Sequence, residues 1–533
     1  MSTVFDEATL EERPGIDLSV LPSLRAEHEP VTVLALDIGT SGTRAALFDS
    51  RGDQIEGSFL ATPVEEYSEL VSGNDVDADV LVASVARLLD LAVDRAEEIV
   101  PRIDYVAPSC FWHSLVGVDD AGRAITPLFG WADTRAADAV AELRDKIDEA
   151  QTHRRTGCRF HPSYWPAKLL WLRRRSPEVF AKVRRWVSFS DYLYLQLFGV
   201  PATSISMASA TGSFNQATCK WDDELLLALN IDEAQLPPIA PPRKTAGGLR
   251  DEYMLRWPLL ERAAWFQAIG DGAANNIGAG CVSREQIAVM LGTSGAMRML
   301  SSRAAPTTLP PELFCYRADR ERVVIGGALS DGGGLLRWMQ DNLALNYDAG
   351  ELNSALESLE PDSHGLTILP FWSGERTPGW SSNAMGTIHG LRAGTKSMDI
   401  VRAAMESVCY RLALILPPLE SFAPDASITL TGKIFRFYPV WAQILADVLG
   451  RKVGVSSVSE SSLRGAALLA LETIGTIDTL ETIMTEPGRL FTPDMHRHEA
   501  YRRGIERQRE LYDKLISHRG SETQRTDWEE NKQ

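Results

Sequence analysis

The sequence predicts two α/β domains, and three observations predict them. The chain has 533 residues, more than one ordinary hydrophobic core organises. A Gly-Thr-Ser-Gly tetrad occurs twice, at 39–42 and 292–295, each time between two apolar runs. Strand-like and helix-like apolar spacings are mixed through both halves, which is the pattern of α/β architecture.

The elements follow in order. Residues 1–30 are acidic and proline-containing, with no basic-then-apolar leader signature, and read as an appended arm. Strands at 32–37 and 44–49 flank the first tetrad. A helix near 79–99 places Leu81, Val85, Leu88, Leu89, Ala92 and Ile99 on one face. Further helices are expected at 134–149, 166–183 and 190–198. A boundary falls around 280–284, just ahead of the second strand-turn-strand unit. A long helix at 397–422 precedes a strand at 427–431 and helices at 438–449 and 461–474. The tail from about His518 is polar. These readings divide the chain into an extension (1–30), a first domain (31–282), a second domain (283–480) and a terminal helix with a polar tail (481–533).

Composition narrows the function class. A hydrophobic fraction of 44% and a charged fraction of 24% are those of a soluble globular protein. No apolar run approaches the length of a membrane span. Six cysteines are scattered without CxxC or other metal spacing, which fits a reducing cytoplasm. A net charge of −18 argues against nucleic acid and requires a locally positive pocket for any anionic substrate.

The tetrads carry chemistry. Glycines let backbone N–H groups point outward together, and Thr and Ser hydroxyls add donors, so both turns are suited to phosphate oxygens. Asp37 stands two residues before the first tetrad, where Met290 stands before the second. Two phosphate turns with one carboxylate suggest a duplicated fold gripping one polyphosphate, with Mg²⁺ on the Asp37 side. The alternative is an Asx-type turn residue. Asp271, between Gly270 and Gly272 and ahead of small residues, reads on its own as a helix N-cap. The same position would also present a carboxylate at a close-packed helix end.

Taken together, the motifs narrow the class further. Asp37-Ile-Gly-Thr-Ser-Gly-Thr-Arg44, Gly270-Asp271-Gly272, Gly292-Thr293-Ser-Gly295, the glycine-rich run from Gly326 to Gly334, Thr431-Gly432-Lys433 and Glu460-Ser-Ser-Leu-Arg-Gly465-Ala-Ala occur in that order. From about residue 32 to 475 the series resembles the FGGY family of carbohydrate kinases. The resemblance implies the two-domain fold of actin, Hsp70 and hexokinase (ribonuclease H-like), with a cleft between the domains. It implies ATP and Mg²⁺ as cofactors and Asp271 as catalytic base. It places Ser41, Gly42, Thr43 and Arg44 on the first phosphate hairpin and Asp37 near the metal. Gly292 and Thr293 would meet the β- and γ-phosphates, Gly333 would lie along the phosphates, and Gly432 with Lys433 would face the nucleoside.

For the sugar, the resemblance implies Trp112, His113, Trp131, Asp133 and Lys168, with Asp271 at the reacting hydroxyl. The motifs around these residues, and around His161, resemble those of the family's gluconate kinases. The implied reaction is ATP-dependent phosphorylation of a sugar or sugar acid, D-gluconate to 6-phosphogluconate foremost. Xylulose or another polyol is the alternative substrate, and a non-catalytic sensor the alternative class. His113, Arg135, His161 and Lys168 are candidate partners for a substrate carboxylate. On the bland reading, Lys168 snorkels from an apolar helix and His161 starts a loop. Glu375 and Arg376 are expected to pair structurally across a loop. Lys433, where relatives usually have a second glycine, is expected to alter the nucleotide contact, and Trp112 to narrow the pocket. A small sugar or sugar acid and ATP are the expected partners, and a homodimer is left open.

Overall fold

The computed structural model describes residues 30–517, apart from 64–66, 68–74, 242, 344, 346, 484 and 486–487. The expected arm and polar tail lie outside the described residues.

Two sheets share one opening. In the first, strand Val33–Gly39 lies between Gly42–Phe48, antiparallel to it, and Tyr105–Cys110, parallel to it. Ile269–Gly270 continues the sheet beyond Tyr105–Cys110, and Leu60–Ala61 continues it beyond Gly42–Phe48. In the second, Gln286–Leu291 lies between Gly295–Ser301, antiparallel, and Ser427–Thr431, parallel. Both tetrads form hairpin turns, with Gly39 facing Gly42 and Leu291 facing Gly295. The repeated tetrad therefore marks a repeated backbone unit.

The central strands are apolar because both of their faces are covered. Residues Val33 to Ile38 are all buried, Asp37 included. Helix Ala78–Ile99 starts where the Asp77 carboxylate accepts from the Asp79 and Val80 N–H groups. It buries Leu81, Val85, Leu88, Leu89 and Ala92, with Ile99 half-buried at its end. Helix Ser461–Thr473 packs on the same sheet and shares its core through Leu463, Leu468 and Leu471. The second sheet forms its core with helices Ser397–Glu420, Pro439–Leu449 and Met495–Tyr512.

Two expected helices are broken. The segment 134–149 yields Ala137–Lys146 and then Glu149–Thr156, because Asp148 leaves helical geometry and caps the second helix at the Gln151 N–H. The segment 166–183 yields Trp165–Arg175 and a separate turn, Pro177–Phe180. Pro177 has no N–H to continue the ladder and forces Ser176 out of the helical region. The first of these helices belongs to a satellite core, in which Trp165 stacks on Trp221 at 5.9 Å between ring centroids.

The two halves meet at a close helix crossing. Helix Asp271–Gly278 packs on Ser461–Thr473 with the backbones almost touching. A Cβ on Gly278 would lie 1.8 Å from the Ser461 carbonyl oxygen, and one on Gly465 would lie 1.8 Å from that of Ala274. Only glycine fits either position. Among the described residues, no helix is long and apolar enough to cross a membrane.

Candidate active site

Three parallel strands of the first sheet deliver the candidate residues to one edge. Asp37 lies opposite Ser109, and Ile269 and Gly270 lie opposite Ser109 and Cys110. The chain leaves these strands at the first tetrad, at Trp112 and His113, and at Asp271. Ligands in open α/β sheets sit at such carboxyl ends.

Asp271 is the first residue of its helix, and Gly270 is the cap. The N-cap reading is therefore corrected by one position. The Asp271 carboxylate accepts the adjacent Gly272 N–H at 2.8 Å. Burial pushes this carboxyl up to about 6, against the opposing pull of Arg298 and with a further push from Asp37. Trp112 explains the flanking glycines. A Cβ on Gly270 would lie 1.8 Å from the indole and one on Gly272 2.5 Å, while the indole Nε1 donates to the Ser206 carbonyl at 3.1 Å. Trp112 thus backs the Asp271 turn as a buried wall.

Asp37 accepts from the Ser109 hydroxyl at 2.6 Å and from the Arg44 guanidinium at 3.0 Å. Burial still holds its carboxyl above the usual range, although Arg44 and Ser109 both pull it down. Arg44 also reaches Glu460 at 3.6 Å, and Glu460 pairs with Lys433 at 2.8 Å. An ion chain therefore runs from Asp37 on the first hairpin to the loop after strand Ser427–Thr431. Ser41 is exposed on the turn. Thr43 is fully buried and its N–H is tied to Thr62 Oγ1, so it braces the hairpin from behind.

The second turn is exposed at Gly292 and Thr293. Its carbonyls are held from below: Gly333 donates to Gly292 at 2.7 Å, and Gly332 and Gly334 donate to Thr293 at 2.9 and 3.1 Å. The Gly333 N–H is therefore spent on bracing the turn. Gly432, at φ +104°, passes so close to Leu291 that a Cβ would lie 2.3 Å from its carbonyl oxygen. Lys433 is half exposed beside this glycine floor.

The expected sugar residues converge, with divided duties. His113 Nδ1 donates to the Ala210 carbonyl at 2.6 Å, and burial keeps the ring neutral by lowering its pKa well below the usual value. That leaves Nε2 as its remaining polar atom. Trp131 lies under the Arg376 guanidinium at 4.6 Å. Asp133 is gripped by Arg135 through Nε and Nη2, so Arg135 serves the carboxylate of this chain. Lys168 does not snorkel. Its Nζ donates to the carbonyls of His113, Gly130 and Ser163 at 2.8–2.9 Å, and burial pulls its pKa down to about 7. All three protons are used, so Lys168 shapes the loops and has no proton left for substrate. His161 is likewise committed, with Nε2 donating to the Glu375 carbonyl and burial lowering its pKa to about 3.

Glu375 and Arg376 have separate partners. Glu375 pairs with Arg411 and accepts from the Tyr512 hydroxyl. Arg376 donates to the Leu329 carbonyl and leaves a buried Nε without a hydrogen-bond partner among the described residues. Arg298 also carries an unpartnered buried Nε, and burial lowers its pKa to about 10. Both guanidinium groups act electrostatically on Asp271. The expectation of a locally positive pocket omitted Arg298 and treated Arg376 as structural. The available signal was an arginine inside the apolar run of strand Gly295–Ser301.

Two like-built sheets, a glycine-bounded hairpin turn in each half and a crossing helix pair make up the two-domain, hexokinase-like kinase fold. Family models for the N-terminal and C-terminal domains of the FGGY carbohydrate kinases match residues 32–278 and 287–473. A gluconokinase of Bacillus subtilis is 28% identical over 465 residues, covering 85% of this chain and 89% of the relative. A xylulose kinase of Lactococcus lactis is 26% identical over 458 residues, covering 85% and 89%. The crystal structure of a gluconate kinase from Lactobacillus acidophilus aligns with a TM-score of 0.80 and 25% identity, over 91% of this chain and 98% of that one. The chain belongs to the FGGY family of carbohydrate kinases. Its substrates are ATP and a sugar.

Proposed function

We propose that the chain transfers the γ-phosphoryl group of ATP to a terminal hydroxyl of a sugar acid, converting D-gluconate to 6-phosphogluconate. One observation carries the choice of an acid. Arg376, stacked over Trp131 of the expected sugar wall, keeps a buried Nε–H that no acceptor among the described residues uses. Buried unpaired donors of this kind are costly unless an anion meets them. The gluconokinase relative and the gluconate kinase structure support the same reading.

In this reading the sugar lies against His113, Trp131 and Asp133, with its reacting hydroxyl at Asp271. Asp271 accepts the hydroxyl proton as the phosphoryl group transfers in line. The turns at 39–42 and 292–295 hold the phosphates, and Gly432 and Lys433 lie towards the nucleoside. Asp37 suits Mg²⁺ in carrying one carboxylate with both oxygens already hydrogen-bonded, which fits contact through water, and the ion would offset charge on the β- and γ-oxygens. Residues 31–282 and 283–480 each supply one turn of the clamp, with helix Ser461–Thr473 of the second segment packed on the first sheet.

The test is ADP release with ATP and Mg²⁺ across gluconate, xylulose, ribulose, glycerol and erythritol. Gluconate is expected to give the highest kcat/KM. Preference for a neutral ketose or polyol would refute the sugar-acid assignment, and ATP binding without any turnover would favour a sensor.

A further inference from the structure

Arg298 leaves strand Gly295–Ser301 of the second half and reaches the Asp271 turn of the first. Glycines at both ends of its side chain make room for it. A Cβ on Gly326, its cross-strand partner, would lie 3.1 Å from Arg298 Cγ, and one on Gly272 would lie 2.8 Å from Cζ. The guanidinium therefore occupies the side-chain space of the residue directly after Asp271. The strand is tied to the same helix by Asn276, whose Nδ2 donates to the Arg298 carbonyl at 3.2 Å.

This cation is left without an anion. Its Nη1 reaches the Gly272 carbonyl at 3.5 Å, the outer limit of a hydrogen bond, and its buried Nε has no partner among the described residues. None of the described carboxylates forms a direct salt bridge with it. Burial lowers its pKa only to about 10, so it stays charged at neutral pH. A buried charge in this state is costly unless a bound anion meets it.

We propose that Arg298 is a catalytic residue whose guanidinium meets the oxygens of the phosphoryl group during transfer. In that step the acceptor oxygen bonds to the γ-phosphorus, and the bond from phosphorus to the β–γ bridging oxygen breaks. The electron pair of the broken bond leaves with ADP, and the hydroxyl proton passes to Asp271. Arg298 is placed for this by its two ends. Its strand begins at Gly295, which closes the second tetrad turn, and its tip lies beside Asp271. The neighbouring cations have other duties: Arg44 is held by Asp37 and Glu460, and Arg376 lies over Trp131. The inference rests on the proposed transfer at Asp271, but not on gluconate as the acceptor.

The test compares wild type with Arg298→Lys and Arg298→Met, using whichever sugar of the panel wild type phosphorylates best. The kcat is expected to fall about tenfold in Arg298→Lys and about a hundredfold or more in Arg298→Met. KM for ATP and for the sugar should stay within about threefold. Calorimetry with sugar, Mg²⁺ and ADP, with and without aluminium fluoride as a mimic of the phosphoryl in flight, reads the same contact without turnover. Fluoride should tighten ADP binding to wild type about a hundredfold, and Arg298→Met should lose that gain while binding ADP alone as wild type does. Thermal melts report folding, and if Arg298→Met does not fold, the same comparison is read in Arg298→Lys. A raised KM for sugar at unchanged kcat would overturn the proposal, as would an undiminished gain from fluoride. Turnover by Asp271→Asn would refute the base separately, since the fluoride measurement involves no proton transfer.

Discussion

Asp271 ionises less readily in the fold than in water, because burial outweighs the attraction of Arg298. Its folded pKa of about 6 lies above the ordinary aspartate value of about 3.9, so the fold retains a proton that the unfolded chain releases between these pH values. Stability therefore falls as pH rises through that window. Asp271→Asn removes this penalty and is expected to raise stability at pH 8 by about 3 kcal/mol, with the gain vanishing below about pH 4. Thermal melts of both proteins across pH would reveal it, and a variant less stable at pH 8 than at pH 4 relative to wild type would contradict it. The kcat/KM of wild type should rise through about pH 6 as the proposed base deprotonates. Lys168 has a different kind of importance. Lys168→Met strips three buried or part-buried carbonyls of their donor and is expected to cost about 2–4 kcal/mol in denaturant unfolding. An unchanged midpoint with only a raised KM for sugar would return Lys168 to the substrate side.

At the scale of elements, the crossing of Asp271–Gly278 with Ser461–Thr473 joins the candidate base to both halves. Gly465→Val places a branched side chain where the Ala274 carbonyl already sits. The cost is expected to be about 2–3 kcal/mol, read as a lowered unfolding midpoint. A wild-type midpoint would mean that the helices separate freely. The sequence made the strands and tetrad turns legible because their apolar runs are continuous and bounded by glycine. It overextended two helices, since local capping by Asp148 and the Ser176-Pro177 break interrupt a periodicity that persists on either side. The roles of Gly278 and Gly465 depend on a partner backbone distant in sequence, which no local pattern reveals.

For the whole molecule, the repeated tetrad corresponds to a repeated sheet opening, and the Asp37/Met290 difference makes the two halves unequal. The two hairpin turns were readable from residue type alone. Arg298 and Arg376 were not, because their proximity to Asp271 depends on strands and loops from the second half folding over the first. Which residues brace and which face outward was also hidden: the Thr43 and Gly333 N–H groups and the Lys168 ammonium are spent on the protein itself. The most direct measurement of the central claim is phosphorus NMR of ATP, Mg²⁺ and D-gluconate incubated with wild type and with Asp271→Asn. Wild type should build up a 6-phosphogluconate phosphomonoester signal, and the folded variant should form it at least about a hundredfold more slowly. A variant that makes this product at the wild-type rate would contradict the account.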